Sequence, residues 1–317
     1  MSDQWFRMHG AEKFDLCPPD VSELDWAEFL RKYKASETLA EVTHPIQIDV
    51  ELNGGCNMNC PFCLHGYETI ENQAMTDECY HDVIKQAVAM GALSLKLNYI
   101  NEPLMRRDLE EKIEYAKNQG ILNVYFVTNG ALLSAKRRKQ LLDCGLTKLF
   151  CSIDATTEET YNQQRRSGLF QRVEGNIRAF IAERNAAGQQ FPLVLVSFLV
   201  NKLNEHEAEK FADEWVGVAD IVSFQKMNEV PDHESGLTIQ YDEPTSGCKF
   251  PGKQLVIDHL GNIQPCCKLA GKQLKDGNVF SSDLRESWIA FEPLRKMHRE
   301  NTWQDHPVCG PCMRCEI

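Results

Sequence analysis

The chain has 317 residues, 43% of them apolar, and a formal net charge of -12 at neutral pH. That length suffices for one large or two small domains with a sizeable core. The acidic balance argues against non-specific binding to nucleic acid or an anionic membrane, both of which want basic surfaces. Residues 1–10 hold no apolar signal core and no stretch approaches transmembrane length. The clustered cysteines among the thirteen therefore read as metal-binding thiols in a reducing cytoplasm rather than a secreted disulfide scaffold.

In chain order, residues 1–45 are charged with scattered aromatics: Trp5, Phe6, Trp26, Phe29 and Tyr33. A helix is expected over 24–33, and the segment reads as a cap without chemistry of its own. From residue 46, apolar runs at 46–52, 93–100, 122–128, 148–153, 193–200 and 221–226 read as strands, with amphipathic helices near 77–90, 106–119, 134–144, 170–187 and 205–216. Strands alternating with helices predict an α/β fold with a parallel sheet. The room suits six units rather than eight, hence an open partial (β/α)6 barrel and not a closed eight-fold one. Residues 228–247, rich in Glu, Asp, Pro, Ser and Gly, read as a linker or loop. Three regions are expected: a cap at 1–45, the partial barrel at 46–230, and a small cysteine-dense β-hairpin-plus-helix domain at 231–317.

Directly after the first strand, residues 51–63 read ELNGGCNMNCPFC, placing Cys56, Cys60 and Cys63 in a C-x3-C-x2-C loop. Structural zinc usually takes separated cysteine pairs, whereas three thiolates on a four-iron cluster leave one iron open for another ligand. With Phe62 at the aromatic position, this loop resembles the CxxxCxΦC signature of the radical S-adenosylmethionine (radical SAM) superfamily. The resemblance implies that the open iron chelates SAM, whose reductive cleavage yields methionine and a 5'-deoxyadenosyl radical. A zinc knuckle and three buried thiols are the competing readings.

Other motifs follow in the family's order. Residues 99–103 (YINEP) resemble its G-G-E-P element, which holds the SAM amino group; Glu102 and Pro103 match, and Asn101 stands where glycine is usual. Thr128, Asn129 and Gly130 resemble T-N-G, although Asn-Gly is also ordinary turn chemistry. Ser152 and Asp154 resemble S-x-D beside the SAM ribose and methionine. Tyr161 to Arg165 resembles Y-x-x-x-R, with Arg166 as the alternative arginine for the SAM carboxylate. Ser197 faces either the ribose or the core. His65, Tyr67 and Glu68 lie just past the cluster loop, where His65 is either a SAM or substrate contact or a plain loop residue.

Near the C-terminus, Cys248 and Cys266 fit C-x12-G-x4-C around Gly261, with a hairpin expected over 255–264 turning at 260–262. A helix is expected over 284–300, carrying Trp288, Phe291, Leu294 and Met297, before the run Cys309, Cys312 and Cys315. This resembles the SPASM/twitch extension of radical SAM enzymes. It implies one auxiliary four-iron cluster held by Cys248, Cys266, Cys309 and Cys312, with Cys315 a substitute ligand and Cys267 a neighbour. A zinc ribbon is the alternative. Cys17, Cys79, Cys144 and Cys151 read as small apolar residues.

These resemblances imply a SAM-binding [4Fe-4S] cluster, an auxiliary [4Fe-4S] cluster and SAM as cofactors, with a flavodoxin- or ferredoxin-like reductant as partner. The first functional reading is an oxidoreductase that takes hydrogen from a small polar metabolite and passes an electron to the auxiliary cluster. The second is maturation of a ribosomally made peptide, by epimerisation or cross-linking, with Cys267 as hydrogen donor. The third is a non-catalytic metal-binding interaction protein. Proton removal needs a base; His233, Glu229, Asp232 and Lys226 are the candidates.

Overall fold

A computed structural model describes residues 8–38, 42–227, 233, 235–239, 246–268 and 273–314. Among them the strands are β1 (Met8–His9), β2 (Gln47–Val50), β3 (Ser94–Lys96), β4 (Asn123–Thr128), β5 (Lys148–Ser152), β6 (Leu193–Val200), β7 (Ile221–Lys226), β8 (Gln254–Ile257) and β9 (Ile263–Gln264). All join one sheet in the order β1-β7-β6-β5-β4-β3-β2-β8-β9. The six strands expected from sequence lie parallel, and α2 (Asp77–Met90), α3 (Leu109–Asn118), α4 (Ala135–Asp143), α5 (Glu158–Arg165), α6 (Phe170–Ala186) and α7 (Ala208–Trp215) lie between them in chain order. The architecture is the expected open partial barrel.

The C-terminal hairpin departs from expectation. Its first strand, β8, pairs in parallel with β2, placing Gln254 beside Gln47 and Val256 beside Asp49. An unpaired β2 edge would leave a row of backbone donors and acceptors exposed, and β8 covers it. A seventh parallel strand is therefore added to the barrel by the auxiliary region, and β9 finishes that edge antiparallel. The single helix expected over 284–300 is two, α9 (Leu284–Ala290) and α10 (Glu292–Arg299), broken at Phe291 with a proline in the first turn of the second. Proline lacks the N–H that would continue the first helix. A short α8 (Phe250–Lys253) precedes β8, and α11 (Cys309–Arg314) closes the described chain.

Residues of the barrel strands alternate in environment. Val124, Phe126, Leu149, Cys151, Val194, Val196 and Phe198 are fully buried under the helices. Lys96, Tyr125, Val127, Phe150, Ser152 and Leu199, on the opposite face, keep part of their surface accessible. Successive strand residues point to opposite faces, so these residues line a hollow interior. Its floor is a buried polar row: Lys148 Nζ donates to Asn123 Oδ1 at 2.5 Å, Asn123 Nδ2 to Ser94 Oγ at 2.8 Å, and Ser94 Oγ to Gln47 Oε1 at 3.4 Å.

The cap closes that floor from below. Helix α1 (Glu23–Ser36) is capped by the Ser22 side chain, which accepts from the Asp25 N–H. It buries Trp26 and Phe29 against Ile46. The Lys148 ammonium lies 5.2 Å from the Trp26 ring centroid and 5.8 Å from that of Phe14. Trp5 and Phe6 lie outside the described residues. Trp26→Ala is expected to lower the unfolding free energy by about 3–5 kcal/mol, measured from the guanidinium midpoint of the cluster-loaded protein. A loss under ~1 kcal/mol would show that the cap is no part of the cooperative fold.

Candidate functional site

The loops that follow β2, β3, β4 and β5 meet at the carboxyl ends of the strands, where parallel sheets place their ligands. Two glycines, Gly54 and Gly55, lead into the cysteine loop. A methyl group on Gly54 would sit 2.6 Å from His259 Nε2, and one on Gly55 would strike the Asn72 side chain, so only glycine fits. Cys60 is buried, while Cys56 and Cys63 are partly covered. The Cys63 N–H donates to the Cys60 carbonyl at 3.1 Å, curling the loop back on itself. Burial pushes the Cys56 thiol up to about 12 and the Cys63 thiol up to about 11, and the neighbouring Cys60 sulfur adds to both. Thiols this reluctant to ionise need cationic iron to hold them as thiolates.

Glu102 is the hub of the loops. Its buried carboxylate accepts from Thr128 Oγ1 at 2.7 Å, the Leu104 N–H at 3.0 Å and the Asn129 N–H at 2.8 Å, while its own N–H donates to the Gly55 carbonyl at 3.0 Å. Burial pushes this carboxyl up against the pull of those donors. Glu102 thus ties together three loops, two through its side chain and the cysteine loop through its backbone N–H. Asn129 Nδ2 reaches Asn57 Oδ1 inside the cysteine loop at 2.8 Å. Asn101, at the place of the usual glycine, donates to Asn53 Oδ1 at 3.0 Å. Gly130 adopts φ 76°, the left-handed geometry of a turn glycine.

Arg165, not Arg166, lies against the cysteine loop: Arg166 is exposed with φ 47°, while Arg165 is buried. Arg165 pairs with Asp154, approaches Cys60 Sγ at 3.8 Å and lies 5.6 Å from the Phe62 ring centroid. Burial works against its charge, but Asp154 and Cys60 outweigh it and hold the guanidinium protonated. Asp154 also accepts from the Leu199 N–H at 2.7 Å. Ser197 lies beside Ser152 on paired strands, with its Oγ 3.4 Å from Ser152 Oγ.

The second cysteine set has its own frame. The Cys248 N–H donates to His298 Nδ1 at 3.1 Å and the Cys309 N–H to His306 Nδ1 at 3.0 Å. Burial pushes the Cys266 thiol well up, with Cys267, Cys248 and Cys312 adding to it, so these sulfurs share a neighbourhood. Cys309 and Cys312 stand one turn apart on α11. Cys315 lies outside the described residues. Cys267 responds most, after burial, to Lys96 and Asp49 of the barrel wall. Among the described residues no three His, Cys, Asp or Glu side chains converge tightly enough for one metal ion; a four-iron cluster takes one thiolate per iron, a wider spread. Cys79, Cys144 and Cys151 are buried in the core as expected, and Cys17 is partly covered.

Two contacts join the cysteine sets. Tyr99 Oη, at the end of the β3 segment, donates to the Lys268 carbonyl at 2.9 Å. Glu51, just past β2, is 2.7 Å from His259 Nδ1 of the hairpin turn and accepts from the Ile100 N–H at 3.1 Å. Neither Glu51 nor His259 was singled out from sequence. The available signal was the alternation Gln47, Asp49, Glu51 in a strand expected to be buried on both faces, since such strands usually read as unbroken apolar runs. His233 stacks on Tyr67 with ring centroids 4.6 Å apart and lies 3.8 Å from Glu68. Lys226 ends β7, and Glu229 and Asp232 lie outside the described residues.

These residues fit the groups that the sequence implies. Three thiols surround one loop, and Arg165 Nε is buried without a hydrogen-bond partner, a spare donor suited to the carboxylate of SAM. Cys60→Ala is expected to abolish iron incorporation at the first site, seen as loss of its share of the charge-transfer absorbance. Arg165→Lys is expected to weaken SAM binding roughly tenfold or more, measured by equilibrium dialysis; unchanged SAM affinity would remove Arg165 from the binding set.

Comparison with known proteins agrees with this geometry. Residues 50–214 match the family model described as the radical SAM superfamily, and residues 248–316 match the SPASM iron–sulfur cluster-binding domain. A probable GTP 3',8-cyclase of Metallosphaera sedula is 31% identical over 175 residues, covering 54% of this chain and 53% of that one. The chain spans about half the length of several such curated relatives. A crystal structure of BtrN in complex with AdoMet and 2-DOIA superposes with a TM-score of 0.59 at 18% identity, over 84% of this chain and 92% of that one. Streptococcus suis SuiB bound to its precursor peptide SuiA gives 0.59 at 14% identity, over 93% and 75%. At such identities these structures speak to the fold. No helix among the described residues is long and apolar enough to cross a membrane. The chain belongs to the radical SAM superfamily and is a radical SAM enzyme with a C-terminal SPASM domain, taking a SAM-binding [4Fe-4S] cluster, an auxiliary cluster and SAM.

Proposed function

We propose that this enzyme oxidises a small polar metabolite held in the barrel interior. Residues 46–230 are assigned to radical generation, 231–317 to the auxiliary cluster and 1–45 to the cap. Cys56, Cys60 and Cys63 would hold the first cluster; Glu102, Thr128, Asn129, Ser152, Asp154, Arg165 and Ser197 would frame SAM, with Phe62 and Asn101 shaping its loops. Cys248, Cys266, Cys309 and Cys312 would hold the second cluster. When bound, the first cluster supplies the electron that cleaves SAM to a hydrogen-abstracting radical, and the second accepts one electron.

The substrate then loses a hydrogen atom from carbon, a proton from its hydroxyl and one electron, a balanced two-electron oxidation. The observation that supports this reading is the insertion of β8 beside β2, with the Tyr99–Lys268 bond, which ties the chain just after Cys266 to the end of the β3 segment. The polar chamber face of Lys96, Tyr125 and Ser152 suits a hydroxylated molecule. Of the two described candidates, Lys226 and His233, the second, held against Tyr67 and Glu68, would be the proton acceptor.

Peptide maturation is the second reading. The placement of Cys267 against the barrel wall favours it, because a hydrogen donor would have to face the chamber. The test is 5'-deoxyadenosine release by the reduced, anaerobically reconstituted enzyme, given small-molecule and peptide fractions of host extract separately. Stimulation by the small-molecule fraction is expected; stimulation by peptides alone would favour maturation. Cys312→Ala is expected to keep some SAM cleavage while product formation falls at least tenfold, and full turnover in that variant would rule out the electron-acceptor role.

A further inference from the structure

One corner of the chamber carries charge that SAM binding does not use. Asp49 of β2 and Lys96 of β3 form an ion pair across neighbouring strands, Oδ2 to Nζ 3.4 Å. The Asp49 carboxylate is fully buried and already accepts from Gln47 Nε2 at 2.6 Å and Gln254 Nε2 at 3.2 Å. Its charge is therefore shared among three donors.

The Lys96 ammonium is less committed. An ammonium has three donors, and among the described residues its hydrogen-bond partner is Asp49. Its side chain keeps 15% of its surface accessible in a strand otherwise enclosed by neighbours on both edges. Two donors remain for a partner in the hollow.

A second cation stands nearby: Lys253 immediately precedes Gln254, whose side chain bonds Asp49. Lys253 and Lys268 both flank the Phe250 ring, with ammonium-to-centroid distances of 5.4 and 5.7 Å. Lys253 is tied to Tyr33 Oη at 3.1 Å and to Glu37 at 3.4 Å, so it stays in place. In a chain of net charge -12, the Lys96 and Lys253 side chains thus stand near one another with only 15% and 11% of their surfaces accessible. Hydrogen bonds with an ionised partner are roughly twice as strong as those between neutral groups.

We propose that Lys96 anchors an oxyanion of the substrate, a carboxylate or phosphate, at the corner of the chamber where β2, β3 and β8 meet. This rests on the reading that the substrate lies in the barrel chamber. It narrows that substrate to an anionic metabolite and makes Lys96 a residue that determines specificity. The anchored end sits against the auxiliary side, leaving the remainder of the molecule toward the SAM loops.

The test splits the small-molecule fraction of host extract on a strong anion exchanger into unretained and retained pools. Each pool is titrated into the reconstituted wild type, Lys96→Arg and Lys96→Gln, and stimulated deoxyadenosine release is compared with the unstimulated rate of the same preparation. The retained pool should stimulate the wild type. The amount needed for half-stimulation should rise roughly tenfold or more in Lys96→Gln, with partial rescue in Lys96→Arg.

Removing Lys96 alone strands the buried Asp49 charge, so the double variant Asp49→Asn/Lys96→Gln guards against a folding defect and should show the same rise. Phosphatase treatment of the retained pool separates the sources: lost stimulation means phosphate, surviving stimulation means carboxylate. Stimulation by the unretained pool alone, or an unchanged titration in both glutamine variants, would overturn the proposal while leaving the chamber reading intact. No stimulation of the wild type by either pool would overturn both.

Discussion

The mouth of this barrel is held together by one buried carboxylate. Glu102 gathers the Thr128 hydroxyl and the Leu104 and Asn129 N–H groups, and its backbone grips the residue before Cys56. Loops that leave parallel strands have no sheet partners of their own, so their positions relative to one another must come from such bonds. A buried anion with three donors is stable where an unpaired one would be costly. The cysteine loop, the T-N-G turn and the start of the Pro103 turn are tied together by one residue, the first through its backbone and the other two through its side chain. Arg165 and Asp154 then complete the ring from the other side, opposite charges drawn together beside Cys60.

Much of this was legible in the chain. Strand and helix periodicity located the six central βα units, because each is an apolar run or an amphipathic stretch bounded by turn residues. The cysteine loop, Glu102, Thr128, Asn129, Asp154 and Arg165 were visible because the chemistry demands particular residue types at fixed offsets. The hairpin was visible too, from the Leu260–Gly261–Asn262 turn. Its pairing with β2 was not, since which edge a strand joins depends on contacts between residues 207 apart. The α9–α10 break was signalled by Pro293, but the apolar spacing of Trp288, Phe291, Leu294 and Met297 runs through it.

The chamber was the least legible part. Gln47, Asp49 and Glu51 occupy alternate positions of a strand that neighbours cover on both edges. Read one strand at a time, such alternation suggests a sheet with one wet face. Only the arrangement of several strands together, with Lys96, Tyr125, Phe150 and Ser152 on the same side, turns that wet face into an enclosed hollow. The role of Glu51 and His259 in docking the hairpin was hidden for the same reason: each side chain's partner comes from a distant part of the chain.

The seating of β8 against β2 has a consequence for how the protein is made. During synthesis β2 emerges early, yet its partner emerges about two hundred residues later, so the strand leading into the first cysteine loop must wait with one edge open. Closing so long a loop is slow compared with local helix formation. The SAM-side barrel therefore reaches its final form late, when the auxiliary segment docks. Completion of the sheet beside the first cysteine loop thus depends on the arrival of the C-terminal segment, and a chain without β8 would leave that edge of β2 open.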